Sequence, residues 1–207
     1  MYGVCFPVFV WGWFLLLMMG KWQVFNKKLS FSLKVFFILS QVLFFSQSNA
    51  GDNSIEYKIK AGYLYNFTKF IIWPENETET FNICILGHDP FGSVIDPIEK
   101  RTVKKKPIRL FRIKAADEAK DCHIVYLSSS SKAQLNLPRL LTITTISPLL
   151  TVGEEKQFVQ RKGMISFFQR DGKVKLHINL KILRESGLDV SAKLLEIADI
   201  YQGESDD

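Results

Sequence analysis

From residue 51 onward, apolar positions fall into short blocks separated by polar, Gly- and Pro-bearing stretches, the pattern of alternating strands and helices. The block Phe81–Leu86 is short, apolar and rich in β-branched residues, is closed by Gly87 and leads through His88-Asp89 to Pro90. It predicts a buried strand that turns into a helix beginning at Pro90. Ahead of it, Ile55, Ile59, Tyr63, Phe67 and Phe70, widened by Leu64 and Ile71, recur at the spacing of one helix face over residues 54–73, and Pro74 stops the run. Behind it, residues 90–99 read as a short helix, 101–106 as a basic solvated turn, and 107–113 as a strand near a sheet edge. Residues 115–120 allow only a turn or two of helix. Residues 122–127 predict a second buried strand, and the serines at 128–131 can cap a helix running toward Leu141. Residues 149–152 with Gly153 make a further strand. Residues 164–168 and 174–178 pair as a hairpin across Arg170-Asp171-Gly172-Lys173. Helices over Leu180–Glu185 and 191–200, split by Gly187 as a cap, close the chain. The fold class that follows is α/β: a single mixed β-sheet with helices on both faces and an antiparallel edge hairpin.

The first fifty residues follow a different rule. Apolar runs occupy 4–19 and 29–45, separated by Lys21, Lys27 and Lys28. Read from Met19, the segment has a basic start, an apolar stretch centred on 35–45, and Ser48-Asn49-Ala50 as a small-X-small cleavage site. That predicts a secretory signal peptide cut after Ala50, with residues 1–18 an upstream extension from a misplaced start codon. The competing reading is a first membrane helix at 4–19 followed by a second membrane segment, which would keep the protein anchored. A run holding Pro7 and Gly12 is short for a span, and Lys34 interrupts the second run. The expected organisation is a leader, 1–50, and one domain, 51–207.

Charge changes the picture little. The chain's net charge is +6, but four of its 27 basic residues are the leader lysines Lys21, Lys27, Lys28 and Lys34. Without those four, the remaining 23 face 21 acidic residues, a net of +2, which is no nucleic-acid footprint.

Cys5 falls in the leader, so the exported domain would carry two cysteines, Cys84 and Cys122, each on an expected buried strand. In an oxidising compartment an even pair predicts a disulfide. Two reduced thiols packed as small hydrophobes are the alternative.

Candidate chemistry is sparse. His88 and Asp89 follow the first strand, where ligands of open α/β sheets sit, and a helix start near Phe91 and Gly92 could present N–H groups to an anion. These four residues form the candidate ligand site, although an Asp before Pro at a helix entry also serves purely as a cap. His123 and His177 read as core or face histidines. Neither metal-ligand spacing, nor a nucleophile elbow, nor a phosphate loop is present, so no metal, cofactor or catalytic group is expected. Asn66-Phe-Thr and Asn76-Glu-Thr match a glycosylation acceptor pattern, relevant only in a eukaryotic secretory pathway.

Several stretches taken together resemble the YfiR-like family of bacterial periplasmic proteins. They run from Lys58-Ile-Lys-Ala-Gly-Tyr-Leu-Tyr-Asn-Phe-Thr-Lys-Phe to Trp73-Pro74, through Ile83-Cys-Ile-Leu-Gly-His-Asp-Pro-Phe-Gly92 and Cys122-His-Ile-Val-Tyr-Leu. They continue with Leu150-Thr-Val-Gly153, Gly163-Met-Ile-Ser-Phe167, Ile178-Asn179 and Gly187-Leu-Asp-Val-Ser-Ala-Lys-Leu-Leu195. Ser166 stands where the family usually has Asn. The family's cysteine pair falls on Cys84 and Cys122, and a second pair found in some members has no counterpart here.

The resemblance implies a non-catalytic regulator in the periplasm. Its expected partner is the periplasmic portion of an inner-membrane diguanylate cyclase or of a sensor kinase, and its expected effect is a restraint on cyclic di-GMP and biofilm formation. Redox state of the cysteine pair or a small molecule near His88 and Asp89 are the inputs such a domain could take. Relatives are commonly dimers, which extends the expectation to a homodimer. The alternative function is a periplasmic small-molecule binding protein with no membrane enzyme as partner.

Overall fold

β-Branched and apolar residues at Phe81–Leu86 form the central strand on which the domain is built, buried along almost its whole length. The structure is a computed structural model and describes residues 50–203 apart from 76, 77 and 155. Residues 1–49 of the expected leader fall outside the described residues, as does Asn76, and the expected cut after Ala50 falls at the first residue of the opening helix. No helix among the described residues is long and apolar enough to cross a membrane.

In chain order the elements are α1 (Ala50–Phe70), β1 (Ile71–Ile72), β2 (Phe81–Leu86), β3 (Thr102–Val103), β4 (Lys106–Ile113), β5 (Ile124–Leu127), α2 (Ser131–Gln134) and α3 (Leu137–Thr144). They continue as β6 (Leu150–Glu154), α4 (Gln157–Gln160), β7 (Ile165–Arg170), β8 (Lys173–Ile178), α5 (Leu180–Glu185), β9 (Asp189–Val190), α6 (Ala192–Leu195) and β10 (Ala198–Ile200). Eight strands make a mixed sheet in the order β10-β8-β7-β6-β5-β2-β4-β3, and β1 pairs with β9 in a separate two-stranded sheet. From β7 to β4 all pairs are parallel. The hairpin β7–β8 is antiparallel, and β10 adds parallel to its outer strand.

The period of two along the strands sorts side chains onto two cores. Phe81, Ile83 and Ile85 of β2 join Ile124, Tyr126, Leu150, Val152 and Phe167 on one face, under α1 and the segment bearing Leu183, Leu188 and Leu194. Cys84 and Leu86 join Val125 and Leu127 on the other, under α3, Phe158 of α4 and the 3₁₀ turn Ala116–Asp121. Cys84 and Cys122 are disulfide-bonded in this second core, with Cα atoms 6.0 Å apart. The bridge staples β2 to the segment two residues ahead of β5, its parallel neighbour.

Four expectations change. In α1 the buried stripe is Lys60, Ala61, Leu64, Phe67 and Thr68, continuing to Ile71, whereas Ile55 and Ile59 are 58% and 44% exposed. Apolar residues surround this helix, so the one lysine on its inner side masks the true face. The segment expected as a helix at 90–99 is two 3₁₀ turns, Gly92–Val94 and Asp96–Lys100. Within the basic turn at 101–106 there is a tight hairpin, β3 to β4, with Lys104 and Lys105 at its tip. The last expected helix ends at Leu195, and Ala198–Ile200 instead extends along β8, because pairing with an open sheet edge satisfies its backbone groups.

Candidate functional site

The carboxyl ends of β2, β5 and β6 converge where β2 is flanked by β4 on one side and β5 on the other, the point at which the chain's direction of progress across the sheet reverses. Gly87 closes β2 with φ +97°, and a Cβ there would stand 2.6 Å from the Ala133 Cβ, so both backbone conformation and contact require glycine. The loop beyond it is organised by Asp89. Its Oδ1 accepts the N–H groups of Phe91 (2.8 Å) and Gly92 (3.2 Å), and its Oδ2 accepts the Arg112 Nε–H (2.8 Å). Arg112 also donates to Asp96 and to the Gly92 carbonyl, each at 3.2 Å. The bond to Asp89, with Asp96 behind it, holds the Arg112 guanidinium above its ordinary pKa.

That loop drives Phe91 inward, 3% exposed. The ring meets Tyr57 of α1 edge-on at 5.4 Å and Tyr126 of β5 at 4.8 Å. Beside both tyrosines lies a buried ionic cluster. Lys60 Nζ is 2.6 Å from Glu154 Oε1 at the end of β6 and 2.6 Å from Glu56 Oε1 one helical turn away. Tyr57 donates to Glu154 Oε1 at 3.2 Å, and Tyr126 donates a short hydrogen bond to the same oxygen. Gln169 of β7 donates to Glu56 Oε2 at 2.6 Å.

The electrostatics follow from burial and from these bonds. Burial first, then the Glu154 carboxylate, pushes both phenols well above the ordinary tyrosine range. Burial also pushes the Glu154 carboxyl up, but hydrogen bonds from Lys60 and Tyr126, and the Lys60 charge, outweigh it and hold that carboxyl below its ordinary value. Both phenols therefore remain donors and Glu154 remains an anion across the neutral range. An arrangement like this holds its protons still; its physical effect is to lock α1 onto the ends of β5 and β6.

Among the residues expected at the site, the structure joins Asp89, Phe91 and Gly92 in one capped loop. His88 is exposed and makes no hydrogen bond or ring contact among the described residues. Sequence reasoning missed Glu56, Tyr57, Lys60, Tyr126 and Glu154. The available signal was Lys60, the one cation on a stripe that otherwise buries Ala61, Leu64 and Phe67, since a lysine in that position requires a carboxylate opposite. Elsewhere, His123 accepts the Asn82 N–H at Nδ1 (3.1 Å) and stacks on Phe81, and His177 packs edge-on to Tyr201. No group of three His, Cys, Asp or Glu side chains suited to a metal ion occurs among the described residues.

A family model described as YfiR/HmsC-like matches residues 57–199, which takes in the whole sheet apart from the last residue of β10. No curated protein sequence matches the chain. Among solved structures, the ABC domain in complex with L-Trp from Streptococcus pneumonia is 12% identical, with a TM-score of 0.48 over 68% of this chain and 60% of that one. A conserved domain protein from Vibrio cholerae is 9% identical, with a TM-score of 0.48 over 70% of this chain and 59% of that one. The chain thus spans about three fifths of the length of each of those two proteins.

Proposed function

The chain belongs to the YfiR/HmsC-like family, and on that premise we propose that it is an exported, non-catalytic regulator that binds the periplasmic portion of a membrane-bound diguanylate cyclase and holds it inactive. The observation that carries this reading is the extent of the family match, residues 57–199, which supports a regulatory periplasmic module for the domain as a whole rather than for one motif.

Two structural features support it. The Cys84–Cys122 bridge is of the kind that persists in oxidising compartments. The titratable cluster at the sheet's carboxyl edge fixes the position of a helix and keeps its protons away from neutrality, which suits a domain that presents a shaped surface. Such a domain restrains an enzyme only through its differential affinity for the enzyme's inactive state. The released state then follows from loss of the bound domain, without any chemical step in this chain.

Affinity capture tests the proposal. The tagged full chain, cross-linked in its host and recovered from membranes, is expected to bring down a membrane protein carrying a diguanylate cyclase domain. Recovery of no such protein above an untagged control would count against it.

A further inference from the structure

At the amino ends of β2 and β5, the opposite end of the sheet from the Lys60–Glu154 cluster, lies a cleft of about 230 Å³. Three rings line it, contributed by Trp73, Phe81 and His123, each less than a tenth exposed. Trp73 stands edge-on to Phe81 at 5.1 Å, and Phe81 stacks on His123 at 4.4 Å with 25° between the planes. His123 is fixed in this wall by the Asn82 N–H at Nδ1 and by Thr78 Oγ1, 3.3 Å from Nε2. Burial, with Lys106 nearby, depresses its pKa to about 4, so the imidazole is neutral at pH 7. Trp73 stands across the Phe81–His123 stack, so the three rings form an aromatic, uncharged corner. It also holds an unmet donor: Trp73 Nε1 is buried and finds no acceptor among the described residues.

The charge comes from the β3–β4 hairpin, which adds Lys104 and Lys106 to the lining, where Glu75 is the acid among the described residues. Lys106 reaches Thr78 Oγ1 at 3.5 Å, while Lys104 makes no ion pair among the described residues. The turn itself is informative. Lys104 and Lys105 have φ of +48° and +70°, the left-handed conformation that a two-residue hairpin turn demands and that Asn and Gly supply at least cost. Lysines at both positions accept backbone strain, and what they bring in return is a cationic head at the mouth of an aromatic cleft.

We propose that this cleft is a binding site for a small planar anion, an aromatic carboxylate whose ring lies against the Trp73–Phe81–His123 wall and whose acid group is held by Lys104. The volume is below the range of drug-sized pockets and suits one ring system with a short acidic arm. The inference is independent of the membrane partner proposed above.

Titration calorimetry on the full chain with phenylacetate, indole-3-acetate and the neutral indole-3-acetamide tests it. At least one of the two acids is expected to bind, and indole-3-acetate, if it is that one, more tightly than its amide by about fivefold, the value of one exposed charge contact. Lys104→Asn keeps a residue suited to the left-handed turn while removing the charge. It is expected to weaken acid binding by a similar factor, about fivefold, and to leave any amide binding unchanged. The proposal is overturned if neither acid binds at about 10 mM, if indole-3-acetate binds but no more tightly than its amide, or if the Lys104→Asn protein binds the acid as the wild type does.

Discussion

Lys60 Nζ and Glu154 Oε1 lie 2.6 Å apart although 94 residues separate them in sequence, and both side chains are largely withdrawn from water. This pair ties the helix that opens the domain to the edge of its sheet, with Tyr126 and Tyr57 closing round the same oxygen. Removing one member strands the other. Lys60→Ala leaves Glu154 and Glu56 facing each other without a cation, and is expected to destabilise the domain by about 3–5 kcal/mol in urea unfolding. The double variant Lys60→Met, Glu154→Gln removes both charges of the pair and keeps an acceptor for the tyrosines. It is expected to recover a substantial part of that loss, and a double variant less stable than Lys60→Ala would refute the account of the pair.

The second core closes round Phe158. Added to Gly153, a Cβ would meet Phe158 Cδ2 at 2.5 Å, and Gly163 packs on the other side of the same ring. Gly153→Ala should therefore cost about 1–3 kcal/mol by overpacking. Phe158→Leu in the Gly153→Ala background is expected to be less harmful than Phe158→Leu alone, because the smaller side chain makes room for the methyl; thermal unfolding of the three variants decides.

The bridge is predicted to matter for stability. Closing the chain between residues 38 apart removes entropy from the unfolded state worth roughly 4 kcal/mol. Urea unfolding with and without reductant should show unfolding free energies that differ by that amount, with the reduced midpoint lower, and Cys84→Ser, Cys122→Ser should unfold like the reduced wild type. Equal midpoints in oxidised and reduced protein would contradict this.

Acid should destabilise the domain in two steps. His123 is neutral in the folded state down to about pH 4, whereas the unfolded chain's histidine protonates near 6.5. Between those values the unfolded state binds the extra proton, so stability falls as pH drops, by about 3 kcal/mol across the window, and is unaffected by this group above 6.5. Glu154 acts lower: its carboxyl is held below the ordinary glutamate value of 4.5, so its contribution is complete above 4.5 and is lost as pH falls toward the lower folded value. In His123→Phe, which keeps a ring against Phe81, the slope between pH 4 and 6.5 should flatten; a slope unchanged from wild type would show that His123 is not its source.

β2, β5, β6 and the β7–β8 hairpin were legible because each strand is a short block rich in apolar residues, falling where period and turn residues place it. Asp171-Gly172 at the hairpin tip both take positive φ, as that turn requires. Other features depend on the tertiary structure. Ala198-Asp199-Ile200 fits helix or strand equally, and only the open edge of β8 selects strand. In α1 the apolar residues point in every direction, so the buried side had to be found through Lys60 and its distant carboxylate. The family resemblance located Gly153 and Gly163 without explaining them; the Phe158 ring between them does.

The central claim is that this domain restrains a membrane enzyme by contact. Cellular cyclic di-GMP, measured in the host with the coding sequence deleted and then restored, tests it most directly. The account predicts a rise on deletion and a return to the starting level when the full chain is supplied again. An unchanged level in cells that retain their membrane-bound diguanylate cyclases would contradict it.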